Sequence, residues 1–91
     1  MSKPDPKPDK KFDLTVVVSG QAVQVTINHK KLVQDLVEKA LKESGNHGQA
    51  PDQWELRSES GELIDQSIQV DQAGIHDGIT LFLNPKTGAG G

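Results

Sequence analysis

The residues most open to chemistry lie at the end of the sequence, which closes as Gly88-Ala89-Gly90-Gly91. Because Gly90 and Gly91 have no side chains, this backbone can pass through a narrow channel and present its carboxylate to an active site on another protein. The seven residues from Pro85 to Gly91 would extend about 23–25 Å, at about 3.3–3.6 Å per residue, a length that suits delivery to a partner. The alternative interpretation is that glycines simply collect in frayed termini.

Composition limits what else the chain can do. None of the 91 residues is Cys, which excludes disulfides, zinc-thiolate sites and a thiol nucleophile, and fits the reducing cytoplasm, where we expect this protein to act. The net charge of −3 argues against nucleic acid as a partner. No segment has the apolar length of a membrane span. A chain this small has no room for a deep catalytic cleft, so we expect a protein that is not an enzyme and has no cofactor of its own.

The remaining reactive side chains do not form a recognisable site. The histidines occur in three different connecting segments, at His29, His47 and His76. Without Cys or paired acidic residues at ligand spacing, they are typical of surface histidines and not of a metal site. Three aspartates spaced six residues apart, Asp65, Asp71 and Asp77, lack the spacing of a calcium loop and are better explained as turn and cap residues.

The elements that must position the tail begin after a polar arm. Residues 1–11 alternate proline with charge and contain no apolar residue after Met1, so we expect them to be disordered. Apolar residues then alternate at period two through residues 12–18 and again through residues 23–27, on either side of Ser19-Gly20. This pattern predicts a β-hairpin.

A helix is predicted next, because the apolar residues change to three- and four-residue spacing. This stripe consists of Leu32, Val33, Leu36, Val37, Ala40 and Leu41. Asn28 is a candidate for the helix N-cap, and Gly45 is a candidate for the C-terminal stop.

Two further strands complete the predicted sheet. Trp54 and Leu56 alternate with polar residues in a short strand, and Trp54 is more typical of a core residue than of a ligand platform. In the last strand, apolar residues at 79, 81 and 83 share one face, while Thr80 and Phe82 lie on the other. Pro85 cannot donate to a ladder and is expected to end the ordered structure.

Together these elements predict an α+β fold, a mixed four- to five-stranded sheet wrapped on one helix. We expect the first and last strands to lie side by side and parallel at its centre, because they are the most apolar and the long intervening chain allows a crossover. The predicted domain covers residues 12–84, followed by a flexible tail over residues 85–91.

The order and spacing of these residues resemble ubiquitin and its β-grasp relatives from Phe12 to Gly91. The most specific part is the C-terminal third. There the order and spacing of segments 61–63, 68–70, 73–75 and 80–83, followed by the diglycine, resemble those of ubiquitin. More narrowly, Trp54-Glu55-Leu56-Arg57 and residues 77–83 are similar to bacterial ubiquitin-like proteins of the multi-ubiquitin type.

The resemblance implies a protein modifier that is activated at Gly91 by a partner enzyme using ATP. The glycine would form an acyl-adenylate, pass to an enzyme thiol and finally join an amine of a target protein in an isopeptide bond. The implied partners are an activating enzyme, a conjugating enzyme, a metal-dependent deconjugating isopeptidase and the targets. Two alternatives remain open: a sulfur carrier with a thiocarboxylate at Gly91, and a non-covalent ubiquitin-like adaptor.

This sequence departs from ubiquitin where partners bind. The tail has Lys86 where ubiquitin has arginines, and the third strand exposes Glu55 and Arg57 where ubiquitin has an apolar patch. Phe82 is therefore the one clear apolar candidate for a partner contact on the sheet, weighed evenly against partial coverage by a neighbouring side chain or the arm. We predict that Phe82, Thr80, Arg57 and Lys86 bind partners, and that Gly90 and Gly91 serve conjugation.

Overall fold

The computed structural model describes residues 10–86, so residues 1–9 and 87–91 lie outside the described part of the chain. Its main elements are four strands and one helix, which occur along the chain as β1 (Lys11–Val18), β2 (Gln21–Asn28), α1 (Val33–Glu43), β3 (Trp54–Arg57) and β4 (Thr80–Pro85). Short 3-10 turns lie at Pro51–Gln53 and Val70–Gln72. The sheet order is β2-β1-β4-β3. The predicted fold of one helix on a mixed sheet is confirmed.

The hairpin between β1 and β2 turns on two residues. Val18 pairs with Gln21, and the intervening Ser19 and Gly20 have φ angles of +48° and +89°. Two central residues with positive φ are the mark of a type I′ turn, whose twist matches that of the flanking strands. The turn therefore fixes the register that places alternate residues of both strands on the same face.

The helix begins later and by a different device than predicted. Asn28 is not its N-cap: it is the last residue of β2 and pairs with Lys11, and its Oδ1 accepts from the Lys30 N–H at 2.9 Å. The helix follows Leu32, whose N–H donates to the Asp35 carboxylate at 3.3 Å. β2 therefore includes Asn28, because the Asn28 backbone pairs with Lys11 at the start of β1.

The predicted stop at Gly45 is confirmed. Gly45 has a φ of +84°, its N–H donates to the carbonyl of Lys42 at 3.1 Å, and the Asn46 N–H donates to that of Leu41 at 2.7 Å. These two bonds form a Schellman motif, which satisfies the last carbonyls of the helix.

The core lies between the helix and one face of the sheet, here called the inner face. It collects the predicted apolar stripes, including Trp54, which is buried. The exception is Leu32, predicted as part of the helix stripe, which precedes the helix and is 40% exposed. The fully buried large side chains are Leu14, Val16, Val18, Val33, Leu36, Val37, Leu41, Leu56, Val70, Leu81 and Leu83. Every strand contributes alternate residues to this core, as the period-two pattern predicts.

The parallel pairing at the centre of the sheet is confirmed and extends to the root of the tail. β1 pairs parallel with β4 from Thr15 opposite Thr80 to Val18 opposite Leu83. The strand continues through Pro85, which pairs with Trp54, and the Lys86 N–H donates to the carbonyl of Gln53 at 2.9 Å.

Pro85 therefore does not end the ordered structure, contrary to the expectation from its missing N–H. Hydrogen-bonded and non-hydrogen-bonded pairs alternate in an antiparallel ladder, so the bond from Lys86 to Gln53 makes Trp54–Pro85 a non-hydrogen-bonded pair. Proline is tolerated at this position because the residues of a non-hydrogen-bonded pair donate no N–H to each other, so no bond to β3 is lost. At the other end, β1 begins at Lys11, one residue before the predicted domain boundary, because the Lys10 carbonyl accepts from the His29 N–H at 2.9 Å.

Candidate functional site

The second face of the sheet, here called the outer face, carries a continuous row of side chains across all four strands. Strand register places Ala22 beside Val17, Val17 beside Phe82 and Phe82 beside Arg57. An isolated bridge then pairs Arg57 with Leu63, beyond the edge of β3. Paired residues in a sheet project to the same side, so these five side chains form one line, the outer-face row.

The row is apolar at four of its five positions and open to solvent. Phe82 is 37% exposed and Leu63 is 59% exposed, while Ala22 is exposed and Val17 half-buried. Phe82, for which exposure and partial coverage were weighed evenly, is thus exposed over about a third of its surface and covered over the rest. Aromatic and aliphatic side chains aligned on a rigid sheet are the kind of surface that anchors a protein partner.

Arg57 divides this row and is held in place by its neighbours. Its Nη1 donates to the carbonyl of Gly61 at 2.7 Å, and its Nη2 contacts the Glu55 carboxylate at 3.2 Å. Two restraints on one guanidinium reduce the side-chain entropy that a partner would have to remove on binding. Arg57 therefore combines a fixed position with donors that remain near the surface.

The rest of the outer face is polar and internally hydrogen-bonded. Gln24 Nε2 donates to Thr15 Oγ1 at 3.0 Å, and Thr26 Oγ1 donates to Asp13 Oδ1 at 2.6 Å. Thr80 pairs with Thr15 on this side and is half-buried. Of the residues predicted to bind partners, Thr80 thus borders the polar half, whereas Phe82 and Arg57 lie within the row.

Lys86 lies apart from the row, at the root of the tail. It is exposed, and its backbone is tied to Gln53. It lies four positions after Phe82 in the sequence, a distance of about 13 Å at about 3.3 Å per residue. Gly90 and Gly91 lie outside the described residues, so the predicted conjugation site follows this anchored point by sequence alone.

Sequence reasoning missed three members of the row: Ala22, Val17 and Leu63. Val17 and Ala22 occupy strand positions that face away from the core, where polar residues are usual. Their apolar side chains at these positions were the signal that could have identified them. Leu63 comes from the short segment after Gly61, and its place beside Arg57 depends on a bridge across a turn. Periodicity within one strand does not predict such a contact.

The histidines differ in their surroundings. His47 and His76 are exposed, as expected of surface residues. His29 is half-buried, its Nδ1 lies 2.9 Å from the Asp71 carboxylate, and its ring centroid lies 6.0 Å from that of Phe12. Across residues 10–86 no three His, Cys, Asp or Glu side chains are grouped so that they could hold a metal ion.

One further property of the described residues concerns membranes. Between Lys10 and Lys86, no helix has the length and apolar character needed to cross a bilayer.

Comparisons with solved structures agree with the fold. A designed protein based on ubiquitin superposes with a TM-score of 0.74 at 19% sequence identity, covering 93% of this chain and 99% of that one. Ubiquitin of Caldiarchaeum subterraneum gives a TM-score of 0.69 at 16% identity, covering 88% of this chain and 99% of that one. The fold is therefore the ubiquitin-like β-grasp.

Sequence comparisons give a closer relationship. An uncharacterized protein of Sinorhizobium fredii is 35% identical over 81 residues, which cover 89% of this chain and 62% of the relative. The chain therefore spans less than two thirds of the length of that relative. Residues 7–91 match the family described as Protein of Unknown function (DUF2604). Since the match spans nearly the whole sequence, this chain is a member of the DUF2604 family, with a ubiquitin-like β-grasp domain.

Proposed function

We propose that this protein is a ubiquitin-like modifier, in which the folded domain is recognised by partner enzymes and Gly91 is joined to amines of target proteins. The observation that carries the proposal is the path of β4. This strand runs through the centre of a ubiquitin-like sheet and ends at Pro85. The N–H of the next residue, Lys86, donates to the carbonyl of Gln53 at 2.9 Å. The residues that lead to the diglycine therefore start from a fixed point.

The chemistry divides between this chain and its partners. Gly91, as the terminal residue or once processing has exposed it, would attack the α-phosphorus of ATP through its carboxylate and release pyrophosphate. A partner thiolate then displaces AMP to form a thioester, and a target amine displaces the thiol to form the amide. Because this chain contains no Cys, the thiol must belong to the partner.

The outer-face row supplies the recognition that this scheme requires. Three of its apolar side chains are placed on β1, β2 and β4, and Phe82, the one on β4, lies about 13 Å from the root of the tail at about 3.3 Å per residue. A partner enzyme can thus bind the outer-face row while the glycines enter its active site as an extended peptide. The side chains would determine which enzyme binds, and the tail would undergo the reaction.

The test uses the full chain with an N-terminal tag in cells of the source organism. We expect covalent adducts of higher mass that survive boiling in detergent and disappear when Gly90 and Gly91 are deleted. Deleting Ser2 and Lys3 instead shortens the chain equally at its other end, and should leave the adducts unchanged. Adducts that persist without the diglycine would contradict the proposal.

The same experiment separates the alternatives. A sulfur carrier would give no adducts, and its intact mass would show oxygen exchanged for sulfur at the C-terminus. A non-covalent adaptor would keep its partners after loss of the diglycine.

A further inference from the structure

A groove lies beside the root of the tail, on the side of β3 that faces away from β4. Its apolar lining residues, here called its floor, are Pro51, Trp54, Leu63 and Ile64. Leu63 is exposed, whereas Trp54 is only 6% exposed. Leu63 also ends the outer-face row, so the groove and the row share one exposed side chain. The proposed conjugation involves only the outer-face row and the tail, so it gives this groove no role.

Hydrogen bonds connect the segments that line the groove. Gln66 Nε2 donates to the Trp54 carbonyl at 2.8 Å and to the Pro51 carbonyl at 3.2 Å. The Ile64 N–H donates to the Leu56 carbonyl at 2.8 Å. These bonds tie the segment at 64–66 to β3 and to Pro51, so hydrogen bonds connect the segments on both sides of the groove.

The rim of the groove is predominantly acidic. The charged residues that line it are Asp52, Glu55, Asp65 and Lys86. Ser67 donates to Asp65 Oδ1 from its hydroxyl at 2.7 Å and from its N–H at 2.8 Å, and these bonds lower the pKa of Asp65 below its ordinary value of 3.8. Glu55 is paired with Arg57, which leaves the two carboxylates of Asp52 and Asp65 against the single ammonium group of Lys86. The charge that meets a ligand is therefore negative.

These charges decide among the possible occupants. The chain's own tail, once it ends at Gly91, would bring a carboxylate toward Asp52 and Asp65, which would repel it. A second copy carries a net charge of −3 and is disfavoured for the same reason. The N-terminal arm has no apolar residue between Ser2 and Lys11, so it offers nothing to the floor.

We propose that this groove binds a basic segment of a partner protein, in which an apolar side chain packs against Leu63 and Pro51, next to the nearly buried Trp54, while flanking Lys or Arg side chains contact Asp52 and Asp65. The interaction does not require Gly91, so it stands independently of conjugation. It predicts a partner surface opposite in charge to the groove rim, and binding that weakens as salt concentration rises.

The test uses two capped peptides that differ only in charge, Gly-Lys-Leu-Arg-Gly and Gly-Glu-Leu-Asp-Gly, each titrated into the isotopically labelled full chain. Trp54 is the only tryptophan, so its indole resonance and its fluorescence report directly on the groove. We expect the basic peptide to shift the Trp54 indole and Leu63 amide resonances, and the acidic peptide to leave them in place.

Two variants make the result specific. Asp52→Lys should weaken binding of the basic peptide at least tenfold, because it reverses a charge on the rim. Glu43→Lys makes the same charge change at the exposed end of the helix and should leave the affinity within twofold. Both residues are exposed, so both variants should fold, as circular dichroism can verify.

Several outcomes would overturn this proposal. They are the absence of shifts with either peptide up to its solubility limit, equal shifts with both peptides, and equal weakening by the two variants. Trp54 shifts that depend on protein concentration alone would assign the groove to a second copy. Trp54 shifts on deletion of Gly90 and Gly91, without peptide, would assign it to the tail. Loss of adducts on diglycine deletion with peptide binding retained would support both proposals separately.

Discussion

On the inner face of the sheet, Leu81 and Leu83 of β4 are fully buried, whereas Phe82 between them projects from the outer face and is 37% exposed. The same strand thus contributes alternate residues to two surfaces with different roles. Inner-face side chains stabilise the fold by removing apolar area from water. Outer-face side chains are arranged by the same backbone but remain exposed to solvent. Alternate residues of one strand can therefore differ in their contribution to stability, and under the proposed function the exposed ones serve recognition.

The largest expected difference between the faces comes from neighbouring truncations in β4. Leu83→Ala removes a fully buried side chain and should lower the free energy of unfolding by about 2–5 kcal/mol, through lost burial and the cavity left behind. Phe82→Ala should cost about 1 kcal/mol or less, since the side chain already contacts solvent. Urea unfolding followed by circular dichroism measures both. Equal losses of unfolding free energy for the two variants would contradict the distinction between the inner and outer faces.

A second pair tests the faces with isosteric exchanges at adjacent positions of β2. Val25→Thr places a hydroxyl in the core, where Val25 is buried, and should cost about 1–3 kcal/mol. Thr26→Val removes the exposed donor to Asp13 and should change stability by about 0.5 kcal/mol or less. Thermal unfolding of the pair at neutral pH provides the measurement. A larger loss for Thr26→Val would show that the outer face is also needed for stability.

Recognition by the outer-face row can be separated from folding at Phe82. If adducts form as proposed, Phe82→Ser should lower their yield about tenfold, equivalent to about 1.4 kcal/mol of lost binding. Asn84→Ser is the matched control, because Asn84 is exposed on the same strand and face but lies outside the row. Quantitative immunoblotting of the adducts compares them. Equal yields for the two variants would remove the row from the account.

The smallest expected effect concerns the acidic rim. The Asp65 pKa is lowered mainly by the Ser67 hydroxyl and then by the Ser67 N–H, so Ser67→Ala should move it part of the way back toward 3.8. A depressed carboxylate pKa adds stability above the unfolded-state value and loses it as pH falls through the folded-state value. The stabilities of the variant and wild type should therefore begin to converge as pH falls below 3.8 and should meet only below the lowered Asp65 pKa of the wild type. A carboxyl-detected NMR titration measures the pKa, and an unchanged value would contradict the hydrogen-bond explanation.

The sequence predicts the fold well because the fold depends on local patterns. Alternation in β1, β2 and β4 identifies which residues are buried, and the Ser19-Gly20 turn joins the first two strands in a type I′ geometry. The failed N-cap at Asn28 shows the limit of such reasoning. Asn28 has the right side chain for a cap, but pairing with Lys11 keeps its backbone in the sheet.

The candidate site was harder to predict because it depends on register between distant segments. Phe82 is identifiable from one strand, but its neighbours Val17 and Arg57 follow only from parallel and antiparallel pairings. Leu63 requires the further bridge to Arg57. The groove at Trp54 depends in addition on Gln66 bonds to two carbonyls, which no sequence motif specifies.

The measurement that tests the central claim most directly is mass spectrometry of trypsin-digested proteins from cells that express the tagged chain. Trypsin cleaves after Lys86, the last basic residue of the sequence. Conjugation therefore predicts target lysines that carry the branched remnant Thr-Gly-Ala-Gly-Gly through an amide bond to Gly91. Finding this remnant, and losing it when Gly90 and Gly91 are deleted, would establish the modifier. Adducts without the remnant, or a tail recovered only as a free peptide under conditions in which the activating enzyme is present, would contradict it.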